Sequence, residues 1–181
     1  MIHPLKDSRT GKEAIYPTTV DITVGDGIIT FLFEAKHSDF YCPYHGQYNA
    51  LHSEGDVCEV FIGSSEDHLS YYEMEISPKG DLMLGQMRYR GEDGENGPIM
   101  DLDFVDDCFV TGHAELTEDG YRASFTFPLS AIKTGDGPIY FNAYRIDTDG
   151  GEMDKHLFAL SPTMRPWVHT PTYFVNLEDY L

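Results

Sequence analysis

Basic residues are scarce in this chain: twelve Lys and Arg stand against 31 Asp and Glu, for a net charge of −19. A surface of that sign repels phosphate backbones and anionic lipid, which argues against nucleic-acid and membrane partners. It suits neutral ligands or bound cations, and it equally serves solubility alone. Cysteine is also sparse. Cys42, Cys58 and Cys108 are odd in number and form no CxxC pair, which speaks against a disulfide framework or a structural zinc ribbon. Long apolar runs are missing, and none approaches the roughly 20 residues of a membrane-crossing helix. The N-terminal stretch MIHPLKDSRTGKE has no apolar core of a secretory signal, so the expectation is a cytoplasmic protein unless a leader has been removed. No segment sustains a 3.6-residue apolar period over the length of a helix.

What remains is alternation. TTVDITVGDGIITFLFEAKH reads as two strands, about 18–24 and 27–36, joined at Gly25-Asp26-Gly27, where a tight hairpin needs residues that tolerate positive φ. DVCEVFIG (56–63), LSYYEMEISP (69–78) and DLMLGQMRYR (81–90) continue the period of two, with Pro78-Lys79-Gly80 as a turn. A hairpin across Glu118-Asp119-Gly120 points Tyr121, Ala123, Phe125 and Phe127 to one face. PLSAI (128–132) opens with Pro and predicts one helical turn, followed by the strand GDGPIYFNAYRID and the short HLFAL. Eight or nine strands at roughly ten-residue spacing predict an all-β fold, an antiparallel β-sandwich of the jelly-roll kind. No linker or repeat divides the chain, so residues 1–181 are expected to form a single domain, large enough to bury roughly 70% of its unfolded surface.

The segment SDFYCPYHGQYNALHSEGD (38–56) carries Pro, Gly, aromatics and His without a steady period, and long loops in compact domains are often functional. Tyr41, Tyr44 and Tyr48 lie in it. Glu59 and Arg145 are charged residues set in otherwise apolar strands, and Arg88 and Arg90 share a strand face. A face alternating carboxylate, Tyr and Arg suits sugar hydroxyls, because charged groups make the stronger hydrogen bonds. For Glu73, Glu75 and Arg90 the ordinary expectation is a solvent-facing sheet with cross-strand ion pairs. Trp167, the sole tryptophan, is either a core residue or a stacking platform. His45, His52 and Cys42 match no zinc spacing, whereas DTDGGEMD makes Asp147, Asp149 and Asp154 calcium candidates, with an acidic hairpin loop as the alternative. GxSxG, HExxH and phosphate-loop patterns are absent, and no nucleophile has an identifiable base.

Five motifs in order carry a resemblance: Asp56, Glu59 and Phe61 on one strand; Tyr71, Tyr72, Pro78 and Gly80; Asn142, Tyr144 and Arg145; Ser161-Pro162; and Trp167, His169, Pro171 and Phe174. Over roughly Thr18 to Leu177 the chain resembles the family-9-like carbohydrate-binding domains. The resemblance implies a sandwich that holds a small sugar or glycan end, without catalysis, through aromatic stacking and hydrogen bonds from carboxylate and Arg. Glu59, Arg145, Trp167 and Asn142 are its candidate contacts, with Arg88 and Tyr44 added from the residue pattern. Family members that bind sugar carry a second Trp shortly before the Asp-x-x-Glu strand; this chain has Leu51, His52 and Ser53 there. The alternative is an enzyme or accessory subunit acting on carbohydrate, with acidic residues and His45 or His52 of the 37–55 loop at work. Oligomeric state is not legible.

Overall fold

The computed structural model describes residues 1–43, 51–53, 55–105, 109–133, 136–150 and 155–181. Thirteen strands lie among them. They begin β1 (Ile2–Pro4), β2 (Lys6–Asp7), β3 (Thr18–Gly25), β4 (Ile28–Lys36), β5 (Val57–Gly63), β6 (Ser70–Ile76) and β7 (Leu82–Glu92). They continue β8 (Pro98–Phe104), β9 (Thr111–Thr117), β10 (Gly120–Pro128), β11 (Tyr140–Asp147), β12 (His156–Ala159) and β13 (Val175–Asn176). All pairing is antiparallel, in a smaller sheet β1-β3-β4-β10-β9 and a larger sheet β2-β12-β11-β5-β6-β7-β8, with β13 added beside β11. This is the expected β-sandwich. Helical structure among the described residues is limited to 3-10 turns of three or four residues, one of them Leu129–Ala131 as the PLSAI motif predicts. Among the described residues no helix is long and apolar enough to cross a membrane.

The first hairpin closes where expected. Asp26 and Gly27 have φ of 52° and 76°, the left-handed pair that matches strand twist in a two-residue loop. Four strands exceed the nine read from the sequence: β1, β2 and β13 are only two or three residues long, and β8 pairs with β7 across the glycine-rich loop. Short edge strands show too few alternations to stand out from coil.

The core follows from period two. Val20, Ile22, Phe31, Phe33, Phe125 and Phe127 of the smaller sheet meet Cys58, Val60, Ile62, Met74, Phe141 and Ala143 of the larger one. The opposite, outer face of the larger sheet is buried as well. There Val57, Phe61, Tyr71, Met83, Met87, Tyr144 and Ile146 pack under Leu51, Val168 and Phe174. Every residue of β5 is therefore buried, and the loops that cover the outer face decide what its polar residues meet.

Candidate functional site

Register places three glutamates together on that outer face. Glu59 of β5 lies directly opposite Glu75 of β6, and Glu73 precedes Glu75 by two residues on the same side. All three are essentially inaccessible to solvent, at 0%, 0% and 1% exposure. The expectation of a solvent-facing surface for Glu73 and Glu75 is thus corrected: the turn Leu51–Ser53 and the segment around Val168 and His169 roof them over. Arg90 does behave as expected, exposed and paired with Asp101 at 2.6 Å.

The three carboxylates are not equivalent. Glu75 is engaged on both oxygens: Oε2 accepts from the backbone N–H groups of Leu51 and His52, and Oε1 bonds His52 Nδ1. It therefore pins the 51–53 turn to the sheet, as an anion at a helical N-terminus does. Glu59 has no hydrogen-bond partner on either oxygen, and Glu73 Oε1 has none. His52 Nδ1 lies 3.9 Å from Glu59 Oε1 and 3.9 Å from Glu73 Oε1. One ligand atom from each of His52, Glu59, Glu73 and Glu75 falls within 4.8 Å of the others.

Burial and mutual repulsion shape the titration of this group. Burial first, then the charge of Glu75, pushes Glu59 up to about 8. Glu73 is raised well above the usual carboxylate range by burial, then by Glu75 and Glu59. Burial works against the charge of His52, but the bond to Glu75 and the charges of Glu75 and Glu59 outweigh it and raise the imidazole. His169 goes the other way. Burial and the neighbouring His52 push it down to about 3, so the ring is neutral. It stacks on Phe61 at 4.7 Å between centroids, its Nδ1 is 2.9 Å from the Tyr71 hydroxyl, and its Nε2 lies 3.8 Å from Glu73 Oε1.

Beside the cluster is a cavity of 330 Å³, lined by Arg9, His52, Lys155, Trp167 and His169 over the apolar wall of Ile146 and Leu157. His52 and His169 separate it from the glutamates. Lys155 Nζ donates to the carbonyl of His52 and so ties the rim to the 51–53 turn. Trp167 is half-buried, with Gly97 against its ring: a Cβ added there would lie 3.5 Å from the indole. Its carbonyl accepts from Thr163 Oγ1 at 3.1 Å, while its indole Nε1 is buried without a partner.

Of the residues singled out from the sequence, Glu59 and Trp167 lie at this site. Asn142 shares the outer face but has its amide spent in support. Nδ2 donates to Tyr144 Oη and Ser161 O at 2.8 Å each, and Oδ1 accepts from Ala143 N and Ser161 N. Tyr144 Oη then donates to Val168 O at 3.0 Å, so Asn142 positions the segment that carries Trp167. Arg145 points to the other face of the sheet. It is fully buried, paired with Asp147, donating to Thr18 Oγ1 at 3.0 Å, and lying 5.4 Å from the Tyr121 ring. Arg88 is exposed on β7, across the sheet from the Met87 side, and Tyr44 falls outside the described residues, as do Tyr48, His45, Cys108 and Asp154. The calcium candidates Asp147 and Asp149 are held by protein donors: Asp147 by Arg145 and His37, Asp149 by Tyr16 Oη at 2.8 Å. Glu73, Glu75, Arg9 and Lys155 are members of the site that sequence reasoning missed. The neighbouring β5, apolar on both faces apart from Glu59, is the one indirect signal that this side of the sheet is covered.

No protein-family model and no curated protein matches the sequence. Solved structures do. A candidate carbohydrate-binding protein from Bacteroides uniformis superposes with a TM-score of 0.73 at 16% identity, over 97% of this chain and 84% of that one. A family-9 carbohydrate-binding module from Caldicellulosiruptor kristjanssonii in complex with cellotriose gives 0.58 at 14% identity, over 97% and 77%. The same organism's module in complex with glucose gives 0.58 at 15%, over 96% and 82%. The chain is similar to these in fold along nearly its whole length.

Proposed function

We propose that this protein is a non-catalytic carbohydrate-binding domain that takes a small sugar or glycan end into the cavity between Trp167 and His52. The observation that carries this reading is the Trp167 indole, backed by Gly97 and lining a cavity beside the cationic donors Arg9 and Lys155. Flat C–H faces of a sugar stack on an indole, and Arg, Lys and His supply donors for the hydroxyls. A volume of 330 Å³ is at the small end of ligand pockets, which run roughly 300–1,000 Å³, and favours one or two sugar rings over a polymer chain. The fold shared with modules solved with glucose and cellotriose supports the same class of ligand. His52, from the stretch where sugar-binding members of the resembled family place a second Trp, also lines the cavity. Glu59 lies behind His52 and is not exposed to a ligand in the cavity.

Trp167 is the sole tryptophan, so its fluorescence reports on the site without interference. Titration with glucose, cellotriose and a mono- and disaccharide panel should change the emission saturably, and a ligand at 100 times its Kd should add about 2.7 kcal/mol of stability. Emission and melting temperature both unmoved across the panel and a glycan array would remove the reading.

A further inference from the structure

The cavity accounts for Trp167, Arg9 and Lys155, but it leaves the buried glutamates unexplained. We propose that His52, Glu59, Glu73 and Glu75 form a binding site for one divalent first-row transition ion, of the manganese-to-zinc series.

Three carboxylates gathered out of water repel one another, and buried charges are paired or coordinate metals in the ordinary case. Here Glu59 is wholly buried with both oxygens unpartnered, and Glu73 is buried with one oxygen unpartnered. Both are grouped with the Nδ1 of His52 and an oxygen of Glu75. The unpartnered oxygens of Glu59 and Glu73 thus face the bonded pair His52 Nδ1 and Glu75 Oε1, where an ion would take the place of the proton that the pair shares.

Spacing agrees. Two ligands each about 2.1 Å from one ion lie at most about 4.2 Å apart. His52 Nδ1 stands 3.9 Å from the nearer oxygens of both Glu59 and Glu73, and the whole set spans 4.8 Å. A contraction of about half an ångström at the widest pair, with an opening of the direct His52 Nδ1–Glu75 Oε1 contact, closes the shell around such an ion. Strands β5 and β6 hold all three glutamates in fixed register, so the His52 turn is the part that adjusts. An imidazole that releases its proton on binding the ion, set among carboxylates, suits manganese, iron or zinc better than calcium, which prefers six to eight oxygens. His169 Nε2, 3.8 Å from Glu73 Oε1 and oriented through Tyr71, stands where a further ligand or an outer-shell support would be.

The site stands on the cluster alone and does not depend on sugar binding in the adjacent cavity. The test uses the full chain, stripped with chelator and dialysed, then titrated separately with Mn²⁺, Zn²⁺ and Ca²⁺. Bound ion is measured by mass spectrometry of the metal, with melting temperature and Mn²⁺ electron paramagnetic resonance alongside. Mn²⁺ or Zn²⁺ should bind at about one ion per chain and raise the melting temperature by about 5 °C or more at 100 times the Kd. Glu59→Gln, which keeps the shape and removes the charge, should lose both the ion and the shift, and His52→Ala should weaken them at least tenfold. Glu73→Gln serves as the second variant if Glu59→Gln does not fold. Failure of wild-type protein to take up Mn²⁺ or Zn²⁺ overturns the proposal. A response to Ca²⁺ alone, or equal uptake by Glu59→Gln and wild type, overturns it as well, since the ion then sits among surface acids. Sugar titrations of the stripped and loaded protein are read separately, so loss of one reading leaves the other standing.

Discussion

The larger sheet buries charge on both of its faces, and the two burials are built in opposite ways. On the inner face Arg145 meets a carboxylate, a hydroxyl and a carbonyl, and lies near the rings of Tyr121 and Phe158; only its Nε lacks a partner. On the outer face, Glu59 sits one strand away with nothing bonded to either oxygen, among two more glutamates. A matched ion pair closes on itself and serves architecture. An unmatched group of like charge needs something from outside the chain, a proton or a cation, and that need marks a site.

Breaking the inner arrangement should have the largest effect. Arg145→Met leaves Asp147 buried without its guanidinium partner and should lower stability by about 3–5 kcal/mol in urea denaturation. The double substitution with Asp147→Asn should recover part of that loss. Full-scale stability of Arg145→Met would show that the inner pair is not what holds the sheet end together.

The outer cluster should respond with the opposite sign in metal-free protein. A carboxyl held at about 8, against an ordinary 4.5, keeps its proton in the folded state after the unfolded chain has lost it. Its contribution therefore falls as pH rises, by at most about 1.4 kcal/mol per unit. His52, raised above 6.5 by Glu75 and Glu59 against its burial, loses its contribution in the same direction as pH climbs through its folded value. His169 acts oppositely, but only as pH falls below 6.5 toward about 3. Between pH 6.5 and 8, chelator-treated wild type should lose stability steadily, with Glu59 facing Glu73, Glu75, His52 and Lys155. Glu59→Gln should be flatter over this range and more stable than wild type by roughly 1–3 kcal/mol at pH 8. Parallel curves for the two proteins would remove the unpartnered glutamate as their cause.

Smaller effects sharpen the contrast between site and scaffold. Trp167→Ala should abolish the sugar-induced melting shift while lowering the melting temperature of the free protein by only a few degrees, since the side chain is only half-buried. Arg90→Ala breaks a pair whose side chains are 50% and 54% exposed, and should change stability by less than about 0.5 kcal/mol. A larger loss would mean that the β7–β8 hairpin is held by its surface charges.

Much of the sandwich was legible because period two is a local property. The faces of β4 and β10, the Asp26–Gly27 turn and the 3-10 turn after Pro128 all follow from neighbours in sequence. The site was legible only in part. Glu59 and Trp167 stood out by type against their surroundings. Arg145 stood out for the same reason, yet one residue of alternation from Tyr144 sends it to the inner face. Glu73 and Glu75 looked like surface residues because nothing local shows that a distant turn and a C-terminal segment cover them.

Acidity and an all-β sandwich with its strand and turn chemistry were legible in the sequence alone, since propensity, alternation and turn residues act over a few positions. Tertiary structure alone decided which charges are paired. Register sets Glu59 against Glu75, and a loop some 20 residues from β6 in sequence brings His52 onto them. Whether a buried charge finds a partner depends on what folds over it, and that is set by contacts between residues far apart in the chain.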